Sequence, residues 1–355
     1  MTPPLANPLA ARHLSRHMRK RPSPLRMRPR PLYQKLCGPI RGAALLALAA
    51  VSSLHAQAAI DPNIAPRAAT LDREGERQMA IDLLGHYLAT APDDGRAWLQ
   101  LGRFYLFDAR DWHRHGHHGE PDGTLYLDFA ATALDQAARL SVDSGLVFRG
   151  VTEADRALVM VEDSGWDPVR YARGRPDTPP MPAYIVELGA NLLTSCPSGG
   201  VLLTGSDLEA MSVWYGSLQR APLDVVPLRP DLYATDSLYR ERMAAAMGVD
   251  PSLPIQRALA AVAVSRPVCL SPTTDLAAAP ALEWVPFRLV RLSRPAPETP
   301  DALSITELLK ATRQDRSPWV QDVRDVYDSA ARFNALLCSS LLLFFGDTPP
   351  GGCTR

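Results

Sequence analysis

Gly200-Val201-Leu202-Leu203-Thr204, then Asp207 to Gln219, then Asp224-Val225-Val226-Pro227-Leu228 reads as a buried strand, a helix and a second buried strand. Apolar runs this short, bounded by turn residues, suit strands covered on both faces. The rhythm continues downstream. Ser237 to Met247 and Pro254 to Val264 have helical spacing, Pro267-Val268-Cys269-Leu270 makes a third strand, and Phe287 to Leu292 a fourth. Alternation of this kind predicts an α/β domain over 176–295, a mainly parallel sheet flanked by helices. Pro176 to Pro182 marks its leading linker. Residues 296–355 form a second linker and a C-terminal helix from Pro318 to Phe345, whose apolar positions include Val323, Val326, Tyr327, Ala330, Phe333 and Leu337. Its last apolar run is too short to span a bilayer, so it is expected to dock on the body.

Upstream, residues 59–175 are helical in character. Trp98-Leu99-Gln100-Leu101-Gly102-Arg103-Phe104-Tyr105 matches the W-x2-L-G-x2-Y opening of a tetratricopeptide repeat. Counting back by 34 residues places Pro92 at the closing turn of the preceding repeat and Ala80 on its second helix. Counting forward, Ala130, Leu134, Ala137 and Leu140 supply the second helix, displaced by an insertion over about 108–124. The region resembles a short tetratricopeptide array, with the α/β domain preceded by an all-α module. Small residues at Gly102, Ala130 and Ala137 let paired helices approach, while Trp98, Leu101, Tyr105 and Leu134 fill the seam. So few repeats need a neighbour, which the helix from Gly145 to Glu162 and the following domain provide. The resemblance implies a concave surface that binds a protein partner; a purely supporting role is the alternative.

A second resemblance rests on Val201-Leu202-Leu203-Thr204, Asp207 and Glu209, Val213-Trp214-Tyr215, and Asp224-Val225-Val226-Pro227-Leu228, followed by Arg266-Pro267-Val268-Cys269 and Trp284-Val285-Pro286-Phe287. Together they resemble the soluble C-terminal part of the bacterial DUF2723 family, which is related to protein O-mannosyltransferases, over roughly 183–292. That family's membrane portion has no counterpart here, since no apolar run reaches the roughly 20 residues a spanning helix needs. Its transferase activity is therefore not carried over. Ser206, Leu208 and Glu209 stand where the family has Gly, Asn and Asp. The resemblance adds Trp214 and Tyr215 to the candidate ligand residues.

The first 58 residues hold ten basic side chains and no acidic one, an apolar run from Gly42 to Leu54, and Ala56-Gln57-Ala58. This is the order of a secretory signal peptide cleaved before Ala59. Met27 as the start would leave a leader of ordinary length, and Cys37 precedes the apolar run, the wrong place for a lipidated cysteine. The mature chain is expected to be exported, periplasmic or secreted. Removing ten of 38 basic residues, against 38 acidic ones, gives a mature net charge of −10. Such a chain, without a dense Lys/Arg patch, excludes nucleic acid as a partner and disfavours anionic lipid. The four remaining cysteines allow three pairings or free thiols. The favoured pairing is Cys196 with Cys269 and Cys338 with Cys353.

Ser206-Asp207-Leu208-Glu209 follows a strand and opens a helix, at the carboxyl edge where open α/β sheets bind ligands. Ser206, Asp207 and Glu209 are thus candidate ligand residues. The same four residues also form an S-x-x-E capping box. Serine hydrolysis is disfavoured, because no G-x-S-x-G occurs and no histidine follows His118. The other candidate is the run Asp111 to Glu120, where His113, His115, His117 and His118 gather four of the five mature histidines. Neutral imidazoles so spaced could chelate zinc, copper or nickel; a solvated loop is the alternative. No cofactor is otherwise implied. The sequence predicts a non-enzymatic exported protein that binds or scaffolds a protein partner through its helical module. An α/β domain that binds or processes a glycan or small polar substrate at Asp207 and Glu209 is the competing reading, and metal binding by the histidine run is the third.

Overall fold

A helix forms where its first amides find acceptors and its apolar stripe finds a neighbour. In a computed structural model, which describes residues 60–117, 121–172, 180–219, 224–295, 303–314, 317–345 and 353, the N-terminal half consists of consecutive helices. These are α1 (Ile64–Arg73), α2 (Arg77–Leu88), α3 (Gly95–Arg114), α4 (Pro121–Arg139) and α5 (Asp143–Ser164). α3 starts at Asp94, whose side chain accepts from the amides of Arg96 and Ala97. α3 and α4 lie unusually close at Gly102, where an added Cβ would sit 2.6 Å from Leu134 Cγ. Ala130, Leu134 and Ala137 are buried along that seam, as is Ala80 on α2. Trp98 is half-buried, and its indole nitrogen donates to the Pro92 carbonyl at 2.7 Å, fastening the turn before α3.

The span 108–124 differs from the expected inserted loop. α3 continues to Arg114 and α4 begins at Pro121, so helix takes up both ends of that span. The physical reason is amphipathic continuity: Leu106 and Ala109 on α3 face Leu127 and Ala130 on α4, and burying them extends both helices by tertiary contact. The leader over 1–58 and most of the Pro176–Pro182 linker lie outside the described residues.

After α6 (Trp166–Arg170) comes α7 (Ala183–Ser195), a helix absent from the sequence reading. Then follow β1 (Val201–Leu203), α8 (Asp207–Gln219), β2 (Val226–Leu228), α9 (Pro230–Thr235), α10 (Ser237–Met247), α11 (Ile255–Ala263), β3 (Val268–Leu270), β4 (Val285–Phe287) and β5 (Val290–Leu292). The sheet order is β2-β1-β3-β5-β4. β1 runs parallel to β2 and β3, whereas β5 is antiparallel to both β3 and β4. The sheet is therefore mixed rather than mainly parallel, in a chain that is mostly helical. A parallel return needs a crossover long enough to pack a helix. The chain between β3 and β4 supplies only a 3-10 turn at Leu276–Ala278, and the segment expected as one strand folds into a hairpin about Arg288 and Leu289. Both edge strands carry a proline at their centre, Pro227 and Pro286, where a missing amide costs no ladder bond.

α7 and α8 pack backbone to backbone at Gly189, where a Cβ would meet the Ser212 carbonyl oxygen at 2.1 Å. A disulfide joins Cys196, at the end of α7, to Cys269 on β3. α12 (Thr306–Gln314) is capped from a distance: the Glu187 carboxylate on α7 accepts from the amides of Glu307 and Leu308 at 3.1 and 3.0 Å. The expected single C-terminal helix is instead two, α13 (Pro318–Ala331) and α14 (Ala335–Phe345). Asn334 makes the break, its Oδ1 accepting from the Leu337 amide and its Nδ2 donating to the Arg288 carbonyl at 2.8 Å. A second disulfide, Cys338 to Cys353, fastens α14 to the tail. No helix among the described residues is long and apolar enough to cross a membrane.

The Gly189 contact sets a stability test. Gly189→Ala forces α7 and α8 apart and should lower unfolding free energy by about 2 kcal/mol, in the range of overpacked cores. Gly85→Ala on α2 meets nothing within 4 Å, and should raise stability by about 0.5–1 kcal/mol from backbone entropy. Denaturant unfolding of the two variants decides both signs.

Candidate functional site: a charged cleft between the helical half and the sheet

The carboxyl ends of β1 and β2 are built around one buried carboxylate. Glu209, on the first turn of α8, is fully buried. Its oxygens accept from the Gly205 amide at 2.9 Å, the Ser206 amide at 3.3 Å, the Ser271 hydroxyl at 2.5 Å, and the amide and hydroxyl of Thr273 at 3.1 and 2.6 Å. The Ser206 hydroxyl in turn accepts from the Glu209 amide at 3.3 Å, closing a reciprocal cap. Glu209 thus ties the loop after β1 to the loop after β3, and these backbones touch: a Cβ on Gly205 would lie 2.2 Å from the Thr273 carbonyl carbon.

Trp214 and Tyr215 also face inward. Trp214 stacks edge-on against Trp166 at 6.0 Å, and the Tyr215 hydroxyl accepts from the Met181 amide at 3.2 Å. Of the five ligand candidates around α8, Asp207 alone is exposed on its own helix turn, and it reaches Arg229 Nη1 at 2.9 Å.

Arg229 follows β2 as Asp207 follows β1, and the pair opens onto a cavity of about 720 Å³ whose far wall is α3 and α5. Arg229 also makes a two-pronged contact with Asp231, Nε to Oδ1 at 2.9 Å and Nη2 to Oδ2 at 2.6 Å. Across the cavity, Arg110 on α3 holds Asp155 on α5 by the same fork, at 2.7 and 3.2 Å. One turn on, His113 Nδ1 lies 3.1 Å from Glu162 Oε2. Apolar side chains of Leu127, Leu158, Val159 and Leu232 complete the wall.

The charges sustain one another. Arg110 is held above the usual arginine range by Asp155 first, against the opposing effect of burial, with Asp207 adding to it. Burial works against the Arg229 charge, but Asp231 and Asp207 outweigh it and push the group up; Asp231 is correspondingly lowered, Arg229 overcoming its own burial. His113 follows the same logic. Burial disfavours its cation, yet Glu162, with Asp163 and Asp155 behind it, raises the imidazole above its ordinary 6.5.

The described histidines of the run have separate engagements. His113 faces Glu162 in the cleft, His115 Nδ1 meets the Asp111 carbonyl at 2.6 Å, and His117 stacks on Trp112 at 4.2 Å. His118 lies outside the described residues. Among the described residues no group of three or more His, Cys, Asp or Glu is arranged to hold a metal ion.

Arg110, Asp155, Glu162, Arg229 and Asp231 were not singled out in the sequence. Arg229-Pro230-Asp231 could have been, because it leaves β2 at the same sheet edge that drew attention to Asp207. Arg110 and Asp155 are separated by 45 positions on different helices, and nothing local links them. No protein-family model matches the chain, and no curated protein or solved structure matches it.

Two outcomes follow from this geometry. Glu209→Gln puts an amide N–H among donors and should cost at least about 2 kcal/mol of stability, while Asp207→Asn, at an exposed carboxylate whose partner Arg229 keeps Asp231, should change it by less than about 1 kcal/mol. Because the His113 pKa is raised on folding, its contribution is full below pH 6.5 and is lost as pH rises through the folded value. Wild type should therefore lose stability relative to His113→Gln as pH rises above 6.5, read by urea unfolding at each pH; a constant difference would refute the pairing.

Proposed function

We propose that the chain is a ligand-binding protein whose cleft takes a neutral, polyhydroxylated molecule, the chemistry of a glycan fragment. The observation that carries this reading is that the arginines at the heart of the cleft, Arg110 and Arg229, are already matched to carboxylates. A strongly charged ligand would have to break those pairs. Sugar hydroxyls can instead accept from guanidinium and donate to carboxylate at once, with ring faces against Leu158 and Leu232. The resemblance of 183–292 to a family related to mannosyltransferases supports a glycan among neutral ligands. The cysteine pairs Cys196–Cys269 and Cys338–Cys353 support an exported, oxidising setting.

The test is calorimetric titration of the full chain with mono- and oligosaccharides. Saturable binding to at least one of them, weakened about tenfold or more in Arg229→Gln and in Asp155→Asn, the scale of a lost charged hydrogen bond, is the expected result. Absence of binding across the panel, or binding untouched by both substitutions, would sink it.

A second reading, protein binding by the tetratricopeptide-like module, is favoured by Leu125 and Phe129. They are exposed one turn apart on α4, and the Phe129 ring lies 5.2 Å from Tyr105. A partner isolated with wild type but lost from a Leu125→Ser, Phe129→Ser double variant that still binds sugar would support it. A partner retained by that variant would count against it.

A further inference from the structure

The opposite, amino-terminal edge of the parallel strands has a different electrostatic character. There Arg170 at the end of α6, Arg242 on α10 and Arg266 in the turn before β3 line one cavity of about 580 Å³, together with Ser198, Asp224 and the exposed Asp167. Backbone carbonyls hold two of them. Arg266 Nε donates to Gly199 at 2.6 Å and Nη1 to Ala246 at 3.1 Å, and Arg242 Nε donates to Glu162 at 3.0 Å. Arg170 Nη2 reaches Asp224 Oδ1 at 2.7 Å, while its buried Nε has no hydrogen-bond partner among the described residues.

Among the described residues, Asp224 is the one carboxylate in ion-pair contact with the three guanidinium groups. Tying a carbonyl requires a donor, not a cation; a neutral amide would serve without repulsion. Here three cations are instead kept together, with Arg170 the one in ion-pair contact with a carboxylate among the described residues. Burial, and then the charge of Arg170, hold Arg266 below the usual arginine range. This is the reverse of the cleft on the other edge, where Arg110 and Arg229 are raised by carboxylates.

We propose that this cavity binds the phosphoryl group of a small phosphomonoester, with Arg170, Arg242 and Arg266 as its guanidinium ligands. Forked N–H donors suit tetrahedral oxyanions, and the free edges of Arg242 and Arg266 provide them. The cavity is much larger than one phosphate, leaving room for the organic part of an ester beside Trp166 and Ala245. Asp224 is the internal competitor, occupying Arg170 until the ligand arrives.

The experiment is titration of the full chain with inorganic phosphate and with glycerol 3-phosphate, at constant ionic strength in chloride. One saturable site is expected, weakened about tenfold or more in the Arg242→Gln, Arg266→Gln double variant. Asp224→Asn releases Arg170 and should tighten binding severalfold, a gain that loss of structure would not produce. It keeps the proposal testable should the double variant fail to fold. Tighter binding of the ester than of phosphate supports the proposal as stated; equal affinity overturns the ester and leaves a phosphate site. No saturable binding, affinity unchanged in the double variant, or weaker binding in Asp224→Asn overturns the site itself.

Discussion

A carboxylate without a cation, sealed from water and satisfied by amides and hydroxyls, is the constraint on which this architecture turns. Glu209 draws donors from two stretches of chain, Gly205 and Ser206 after β1, and Ser271 and Thr273 after β3. Left with fewer donors it would be among the costliest groups in the molecule to bury. With all of them it fixes the start of α8 and the spacing of two strand ends. Asp207, two residues earlier on the same turn, is thereby turned outward toward Arg229, and the sheet side of the cleft acquires its shape. The buried carboxylate is not in the cavity lining; it positions Asp207, which is.

Around that fixed edge, charge is distributed unevenly and with consequence. On the carboxyl side, Arg110–Asp155 and Arg229–Asp231 are forks in partly buried surroundings, where the carboxylates hold Arg110 and Arg229 up and Arg229 holds Asp231 down. Because they come from helices α3 and α5 and from the turn after β2, they also line the two walls between which the cavity lies. On the amino side, Arg170, Arg242 and Arg266 line one hollow in which Arg170 is paired with Asp224, while burial and the charge of Arg170 work against Arg266. One sheet therefore presents a neutralised cleft at one end and a cationic hollow at the other. Glu162 connects them, its carboxylate near His113 and its carbonyl on Arg242.

Much of the secondary structure was legible in the residues. The runs at Val201, Val226 and Val268 are short, apolar and bounded by turns, and Ser206 with Glu209 announces a helix start by local chemistry alone. Other features escaped because their causes are not local. α7 carries an apolar sequence whose close approach to α8 depends on Gly189 meeting Ser212, twenty-three positions away. The break between α13 and α14 depends on Asn334 finding the Arg288 carbonyl of the hairpin. The mixed sheet reflects a connection after β3 that carries no crossover helix, a property of the path and not of any strand's composition.

The sequence by itself determined the places of β1, β2 and β3, of α8, α10 and α11, and the residues that cap α8, because those properties act within a few residues of one another. Only the tertiary structure decided that Arg110 faces Asp155 and Arg229 faces Asp207, that Trp214 and Tyr215 belong to the core, and that three arginines converge at the far edge. Pairings between distant charges depend on how helices pack against the sheet, and packing is settled by the sum of many small contacts that no local pattern encodes.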